Sequence, residues 1–303
     1  MVKLRQQGRR KGKVKRYLRD PLKQFKETMS DRLGMIGFFI LCGFILIAIL
    51  SPWIAPYHPF ETTYLSDGSV AKLTPPSSLY WLGTTNLGED ILSQILFGSR
   101  SVLMIGFISA VCITVIGTNI GLIAGYYGGK ADDLLMRLTD IAFGIPLIPF
   151  GIVLVAILGT SKWNIIIAIS VLLWRTTARV IRSQVLSLKE RPFILSARAS
   201  GAGDLRILYR HVAPNILNLA SLYIPLGIGW AVGAEASLSF VGLGDPVAIS
   251  WGKMLYFVFY AGAIRTAWWW VLPPGLCIGF FVASCYLIAR AYERVVHPKF
   301  REM

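Results

Sequence analysis

The sequence predicts an all-α protein that crosses a membrane six times. Of its 303 residues, 54% are hydrophobic and only 16% are charged, whereas soluble domains carry about 25% charged residues. Several apolar runs approach the length of about 20 residues that a helix needs to cross a bilayer. Lys and Arg concentrate in alternate connections between these runs. Together these observations favour one helical bundle in a membrane over soluble domains.

The positive charge predicts the orientation of the chain. Twelve Lys and Arg lie in residues 1–34, eight between Arg175 and Arg210, and four between Arg290 and Arg301. Cytoplasmic connections carry such an excess, so we expect both termini and the connection between spans 4 and 5 to be cytoplasmic. Anionic lipid headgroups of the bilayer explain the net charge of +15. No nucleic-acid-reading motif accompanies the charge, so we expect no nucleic-acid partner.

Residues 1–34 predict a basic cytoplasmic tail that contains an amphipathic helix lying on the membrane surface. Its apolar residues recur every three to four positions, which is the spacing of one helix face. These residues are Leu18, Leu22, Phe25, Met29 and Leu33. The alternative is a disordered tail. The first span, residues 35–55, follows directly and is long enough to cross the hydrocarbon core.

Residues 56–99 are expected to form an extracytoplasmic segment. At 44 residues the segment is longer than most connectors, which predicts a folded or docking role. Residues 100–290 are expected to form a five-helix core, spans 2 to 6, and residues 291–303 a short cytoplasmic tail. Span 2 carries three glycines on one face, so a neighbouring helix can approach it closely. They are Gly117, Gly121 and Gly125.

Prolines and arginines mark spans 3 and 4. Span 3, about residues 138–159, is expected to break at Pro146 and Pro149, because proline removes a backbone donor and bends membrane helices. Span 4 starts near Trp163 and is expected to continue as a helix into the cytoplasm. Basic residues with long stems, which can reach the interface, follow there at helical spacing. They are Arg175, Arg179 and Arg182.

Spans 5 and 6 frame the second half of the core. Span 5 is expected over about residues 216–232, with residue 240 as an alternative end, and contains Pro225. A half-buried segment over residues 251–262 is expected after it. Span 6 begins with three tryptophans at residues 268–270, which predict an aromatic belt at the membrane interface. This span is expected to end near Arg290.

Two acidic residues fall inside the predicted spans. Asp140 lies near the inner end of span 3, and Glu235 near the outer end of span 5. One interpretation is a hydrated or arginine-paired carboxylate, since a charge at the bilayer centre costs about 2.5–3.5 kcal/mol on insertion scales. The other is the polar lining of a pathway, with a gate at Glu235. The candidate pathway and gate residues are Asp140, Pro146, Pro149, Pro225 and Glu235.

The sequence contains no catalytic or metal-binding motif. The three histidines are far apart, and the four cysteines lie in apolar segments without metal-ligand spacing. Gly128, Gly129 and Lys130 resemble the end of a phosphate-binding loop. However, Ala131 stands where that loop needs Ser or Thr, and a membrane helix precedes it instead of a strand. We therefore expect no catalytic residue, no metal and no bound ATP on this chain.

The connection between spans 4 and 5, residues 183–215, is the strongest functional signal. It predicts a short helix over residues 192–200, which Pro192 begins and Gly201 ends. One face of this helix would carry Phe193, Ser196, Ala197 and Ser200. A large side chain beside small ones suits a helix that docks into a partner's groove. The alternative is an amphipathic helix lying on the membrane.

This connection resembles the Glu-Ala-Ala loop of permease subunits of ATP-binding-cassette importers. The residues that carry the resemblance are Phe193, Leu195, Ser196, Ala197, Gly201, His211 and Pro214. Gly201 and Pro214 match the family's Gly and Pro at the family's spacing. Leu195 departs from the pattern, which has Glu there. His211 is similar to the residue in the peptide-importing branch.

Three further stretches are similar to the second permease subunit of dipeptide, oligopeptide and nickel importers. They are residues 82–100, 125–140, and 235–244 together with 250–252. The resemblance covers about residues 30–300. It implies the type I importer permease fold in the plasma membrane of a prokaryote, with spans 2 to 5 lining half of a translocation pathway.

The resemblance also implies partners and a function. The partners are a homologous second permease that completes a heterodimer, two cytoplasmic ATPase subunits that bind ATP and Mg, and an external solute-binding protein that meets residues 56–99. Residues 183–215 would couple ATP-driven motion to the import of di- or oligopeptides. The alternatives are the same role in nickel or metal-chelate uptake, and a channel or receptor without ATPase partners.

Overall fold

The computed structural model describes residues 21–296. Residues 1–20, including Leu18 of the expected apolar face, and residues 297–303 lie outside the described residues. The helices are α1 (Pro21–Ser30), α2 (Arg32–Ile54), α3 (Ile91–Tyr127), α4 (Gly129–Gly144), α5 (Leu147–Leu158), α6 (Lys162–Lys189), α7 (Pro192–Ala199), α8 (Asp204–Ile207), α9 (Ala213–Leu238), α10 (Trp251–Tyr260) and α11 (Trp268–Val296). Two wider, π-helical turns flank α9: the first π-turn Leu208–Val212 and the second π-turn Ser239–Leu243.

The described helices supply six membrane spans. Four single helices, α2, α3, α6 and α11, are long and apolar enough to cross a membrane, as is the continuous helix Asp204–Leu243 that contains α9. Helices α4 and α5 meet at a bend of 94° and supply the sixth span when the bent pair is counted as one. The predicted all-α fold with six spans is confirmed.

Helix α1 packs on the bundle through its polar side. Gln24 is buried; its amide donates to Asn218 Oδ1 at 3.2 Å and accepts from the Tyr292 hydroxyl at 2.9 Å. Thr28, one turn later, is also buried, whereas Phe25 is 51% exposed. The bundle covers Phe25 only in part, through an edge contact with the Phe38 ring at 5.5 Å, and the interfacial helix stays a prediction.

Helices α3 and α6 pack in close backbone contact at the centre of the bundle. A Cβ added at Gly121 would lie 2.5 Å from the Ala178 carbonyl oxygen, and one at Gly117 would lie 2.6 Å from that of Trp174. A Cβ added at Gly125 would likewise lie too close to Val185. The glycines predicted to admit a neighbouring helix thus admit α6, as small residues do between membrane helices.

Helix α3 begins at Ile91 rather than near Ser101, so the segment after the first span ends at Asp90. The Asp90 carboxylate caps the helix by accepting from the Ser93 N–H at 2.8 Å and from its hydroxyl at 2.7 Å. The first turns of α3 are polar but buried, including Ser93 and Gln94. The segment expected over residues 56–99 is thus shorter, because these polar residues are helical and bond to the segment that precedes them.

The tryptophans at the start of α11 do not all belong to an aromatic belt. Trp268 is 59% exposed, but Trp270 is buried at 1% exposure. The indole N–H of Trp269 donates to the Thr84 carbonyl at 3.5 Å, so this ring packs on the segment before α3. Helix α11 continues to Val296, beyond the end expected at Arg290.

Proline does not interrupt the fifth span. Pro225 lies inside α9, which runs unbroken from Ala213 to Leu238. Pro214 also lies in the first turn of α9 and does not separate it from the preceding loop. The first π-turn precedes it, where the Ala213 N–H donates to the Leu208 carbonyl five residues back. This wider turn accommodates the proline, so the helix starts inside the loop.

Candidate functional site

Helix α7 is bounded by two local signals. Pro192 occupies its first turn, where a missing N–H costs nothing. At its end Gly201 has a φ of +78°, a conformation that side chains disfavour. The Gly201 N–H donates to the Arg198 carbonyl at 3.0 Å, and the Ala202 N–H to that of Ala197 at 3.2 Å. This pair of hydrogen bonds is the Schellman motif, so the predicted stop at Gly201 is correct.

Ile194 anchors α7 to the rest of the protein. Its side chain is fully buried in a cluster with Val185, Ile207 and Val212. The residues on either side of it, Phe193 and Leu195, are 41% and 45% exposed.

The exposed face of α7 differs in one residue from the predicted one. Phe193, Ser196 and Ser200 are exposed as expected, but Ala197 is half-buried and packs against the cluster that holds Ile194. Helical spacing explains this, because Ala197 lies three residues after the buried Ile194. Leu195, which was not expected on this face, is exposed as well.

Two apolar residues beyond α7 are also exposed. Leu205 in α8 is 68% exposed, and Tyr209 in the first π-turn is 49% exposed. The hydroxyls of Ser196 and Ser200 donate to backbone carbonyls one turn back, at 2.8 and 2.9 Å. The surface therefore offers more apolar area than its sequence suggests. We call Phe193, Leu195, Leu205 and Tyr209 the α7–α8 surface.

His211 and Pro214 lie at the junction between this surface and α9. His211 is half-buried in the first π-turn, and its carbonyl accepts from the Asn215 side-chain amide at 2.6 Å. Pro214 is half-buried in the next turn. Neither side chain is part of the α7–α8 surface; both shape the start of α9.

Three arginines of α6 hold α4 along its length. Arg182 donates to Asp132 through Nε and Nη2, both at 2.5 Å. Arg179 pairs with Asp140 at 2.6 Å. Arg175 donates to the carbonyls of Ala142 and Ile145, the latter at 3.4 Å.

These contacts explain Asp140 and the break after α4. Asp140 has the arginine partner that one interpretation expected, and its side chain is 66% exposed. The Arg179 and Arg175 guanidinium groups lie 4.2 and 4.9 Å from the centre of the Phe143 ring. A cation at the end of α4 satisfies carbonyls that would otherwise lack partners in a membrane.

The third span breaks at Pro146 alone. Ile145 and Pro146 are extended, whereas Pro149 lies inside the first turns of α5 and does not interrupt it. A proline near a helix start removes an N–H that has no intrahelical partner, so the second proline is tolerated. The expected break at both prolines is therefore corrected to one.

Glu235 is buried inside the bundle, at 1% exposure. Its Oε1 accepts from the Ser239 hydroxyl at 2.6 Å, which links α9 to the second π-turn. Among residues 21–296, no group of three or more His, Cys, Asp or Glu could hold a metal ion.

Comparison with known proteins identifies the family. Residues 117–302 match the family described as binding-protein-dependent transport system inner membrane component. Residues 17–76 match the N-terminal transmembrane domain of oligopeptide transport permease C. A dipeptide transport system permease protein of Alkalihalophilus pseudofirmus is 36% identical over 91% of this chain and 89% of its own length. An oligopeptide transport system permease protein of Bacillus subtilis is 34% identical over 80% of each chain.

A solved structure shares the fold. A chain from inward-facing MetNI methionine ABC transporter covers 69% of this chain and 95% of its own length, with a TM-score of 0.53 and 24% identity. The predicted permease fold of an ATP-binding-cassette importer is thereby confirmed. Because the family pattern spans more than half of the sequence, the chain belongs to the inner-membrane components of binding-protein-dependent transport systems.

Proposed function

We propose that the chain forms half of the translocation pathway for di- and oligopeptides in an ATP-driven importer. The names of its relatives support peptides as the cargo, since they include dipeptide, oligopeptide and glutathione transport permeases. Nickel uptake has less support, because none of these names refers to a metal. A homologous second permease completes the pathway, and a solute-binding protein delivers the peptide to the segment before α3.

Hydrolysis belongs to the partners in this proposal. Two ATPase subunits bind ATP and Mg, and this chain carries no catalytic residue. The α7–α8 surface faces them from the cytoplasmic side, and both termini lie on that side. The eight Lys and Arg between Arg175 and Arg210 support this orientation through the preference of basic residues for the cytoplasm.

The observation that carries the coupling role is the structure of α7 itself. A buried Ile194 fixes the helix to the bundle, while Phe193 and Leu195 on either side are exposed. An exposed apolar helix at the charged end of a membrane protein suits docking into a groove of another protein. Leu195 makes this contact apolar where the family has a carboxylate.

The pathway runs beside the broken third span. Discontinuous membrane helices commonly line transport sites, because their free ends present polar backbone groups. We assign Asp140 and Pro146 to this lining. Pro149, Pro225 and Glu235 are candidate positions on the moving helices, and opening near the second π-turn would expose Glu235 as a gate.

Purified complexes in proteoliposomes test the proposal. The wild-type complex should take up labelled di- and tripeptides when ATP and the binding protein are present. The double variant Phe193→Asp/Leu195→Asp should insert normally but lose the co-purifying ATPase subunits and peptide uptake. Val247→Asp is the control: Val247 is 83% exposed near the opposite end of α9, so ATPase binding should persist. Nickel uptake without peptide uptake, or ATPase binding by the double variant, would contradict the proposal.

A further inference from the structure

Two polar contacts join α3 to the start of the long helix Asp204–Leu243. One pairs Tyr126 with Asp204, and the other pairs Asn119 with Tyr209; together we call them the α3 latch. We propose that Tyr126 and Asn119 are positioning residues, an inference that rests on the proposed function of α7. They make α3 follow any movement that an ATPase imposes on α7 and α8.

The first contact gathers three elements at one side chain. The Tyr126 hydroxyl donates to Asp204 Oδ1 at 2.7 Å. The guanidinium carbon of Arg198, in the last turns of α7, lies 5.9 Å from the centre of the Tyr126 ring. Tyr126 is only 5% exposed, so its ring is held by packing and its hydroxyl has a defined direction. A displacement of α7 or α8 therefore reaches the end of α3 directly.

The second contact lies two helical turns away. The Tyr209 hydroxyl donates to Asn119 Oδ1 at 3.2 Å. The amide nitrogen of Asn119 donates to the Val115 carbonyl at 2.8 Å, which orients the amide with its oxygen toward Tyr209. Asn119 and Tyr126 are seven residues apart and thus lie on one face of α3.

The two contacts act at the start of the long helix Asp204–Leu243. Farther along, this helix already packs on α3, with Gly227 against Ala110 and Gly106 against Val232. The two hydrogen bonds therefore add constraint at α8 and the first π-turn, where packing against α3 is sparse. The first π-turn, one of two wider turns in the long helix, carries Tyr209, and such turns frequently mark functional sites.

The α3 latch also passes a movement of α7 and α8 on to α6 and, through α6, to α4. Gly117, Gly121 and Gly125 bring α3 into backbone contact with α6, so α6 follows α3. The arginines of α6 in turn hold α4, through the bidentate pair between Arg182 and Asp132. Movement of α7 and α8 thus reaches the broken third span as well as α9.

The test measures peptide transported per ATP hydrolysed, in proteoliposomes that contain the whole importer. Tyr126→Phe removes one hydroxyl and keeps the ring, and Asn119→Ala removes the acceptor of the Tyr209 hydroxyl without changing the α7–α8 surface. Each should lower this ratio at least about threefold, the order expected for one lost hydrogen bond, and the double variant should lower it further. ATPase subunits should remain bound. Tyr127→Phe is the matched control, because Tyr127 is the next residue and is 47% exposed; its ratio should be unchanged.

Substitution of the acceptor separates positioning from folding. Asp204→Asn keeps an oxygen for the Tyr126 hydroxyl and should retain the wild-type ratio, whereas Asp204→Ala should lower it as Tyr126→Phe does. A wild-type ratio in Tyr126→Phe, or a lower uptake with an equal fall in ATP hydrolysis, would overturn the latch alone. Absence of ATP-driven peptide uptake by the wild-type complex would overturn the proposed function and, with it, the role of the latch.

Discussion

Arg182 and Asp132 form a two-pronged ion pair between α6 and α4, with both nitrogen–oxygen distances at 2.5 Å. The two side chains are 32% and 13% exposed. Parallel hydrogen bonds of this kind require the planar fork of a guanidinium. The neighbouring pair, Arg179 with Asp140, makes one contact at 2.6 Å, and its side chains are 52% and 66% exposed. The two pairs join the same helices but differ in burial.

We expect the buried pair to stabilise the protein more than the exposed one. Asp132→Asn should lower the free energy of unfolding by about 1–3 kcal/mol, because charged hydrogen bonds are lost where little water replaces them. Asp140→Asn should change it by less than about 1 kcal/mol. Thermal unfolding of both variants in the same detergent measures the difference. Equal effects of the two variants would contradict this ranking.

Gly201 should tolerate asparagine but not valine. A Cβ at this position would meet no atom within 4 Å, so space does not limit the substitution. The backbone conformation limits it instead. Gly201 has a φ of +78°, and a branched side chain in this conformation costs about 1–2 kcal/mol of strain, whereas asparagine costs less.

Limited proteolysis of the purified protein measures the consequence. Gly201→Val should release the Schellman motif and speed cleavage near the end of α7, while Gly201→Asn should be cleaved at nearly the wild-type rate. Equal cleavage of the two variants would show that the backbone conformation at Gly201 does not hold α7.

Close packing of α3 on α6 should make Gly121 intolerant of a single methyl group. The added Cβ would lie 2.5 Å from the Ala178 carbonyl oxygen and 2.8 Å from Ile181 Cβ. Backbone atoms cannot rotate away, so the helices must separate, and overpacking of this kind costs about 1–3 kcal/mol. Gly43→Ala in α2 is the control, since nothing lies within 4 Å of its added Cβ. Thermal midpoints of the two variants should differ, with only Gly121→Ala lowered.

Stability should depend on pH through Glu89. Burial raises the pKa of Glu89 above its ordinary value of 4.5, although hydrogen bonds from Thr85 and Gln94 and the charge of Lys253 act in the opposite direction. A raised carboxyl pKa means that the folded protein binds the proton more tightly than the unfolded chain. The stability that Glu89 contributes is therefore fully present below pH 4.5 and is lost as pH rises through the pKa of the folded state.

The variant Glu89→Gln should flatten this dependence. Its thermal midpoint should fall less than that of the wild type as pH increases from about 4.5 toward neutrality, because the glutamine does not ionise. Lys253 affects stability in the opposite direction at higher pH. Burial lowers its pKa, so its protonation on acidification destabilises the fold. Midpoints measured across pH 4–8 check the prediction, and parallel curves for the two proteins would refute it.

Periodicity and helix-stopping residues made α7 predictable. Pro192 and Gly201 are local signals, and they bound the helix in the structure as they do in the sequence. Which side of α7 packs inward was harder to predict. Helical spacing alone gave Ala197 to the exposed face, and only the cluster around Ile194 shows which side packs inward.

Polar residues gave the least reliable expectations. The segment expected over residues 56–99 ends at Asp90, since Ser93 and Gln94 are buried in α3 and bond to the segment before it. Asp204, Tyr126 and Asn119 carried no distinguishing pattern, because their partners lie 78 and 90 residues away in the chain. A hydrogen bond across such a separation depends on the packing of whole helices.

The sequence alone was enough to predict the number of spans, the glycine face of α3 and the short helix before Gly201, but not that the third span breaks at Pro146 and continues through Pro149. These features follow from hydrophobic length, from side-chain size and from backbone conformations that particular residues favour. Only the tertiary structure decided that the arginines of α6 hold α4, that Trp270 is buried, and that the loop is joined to α3 at two points. Those contacts depend on which helix faces which, and the burial of apolar and polar side chains over the whole bundle sets that arrangement.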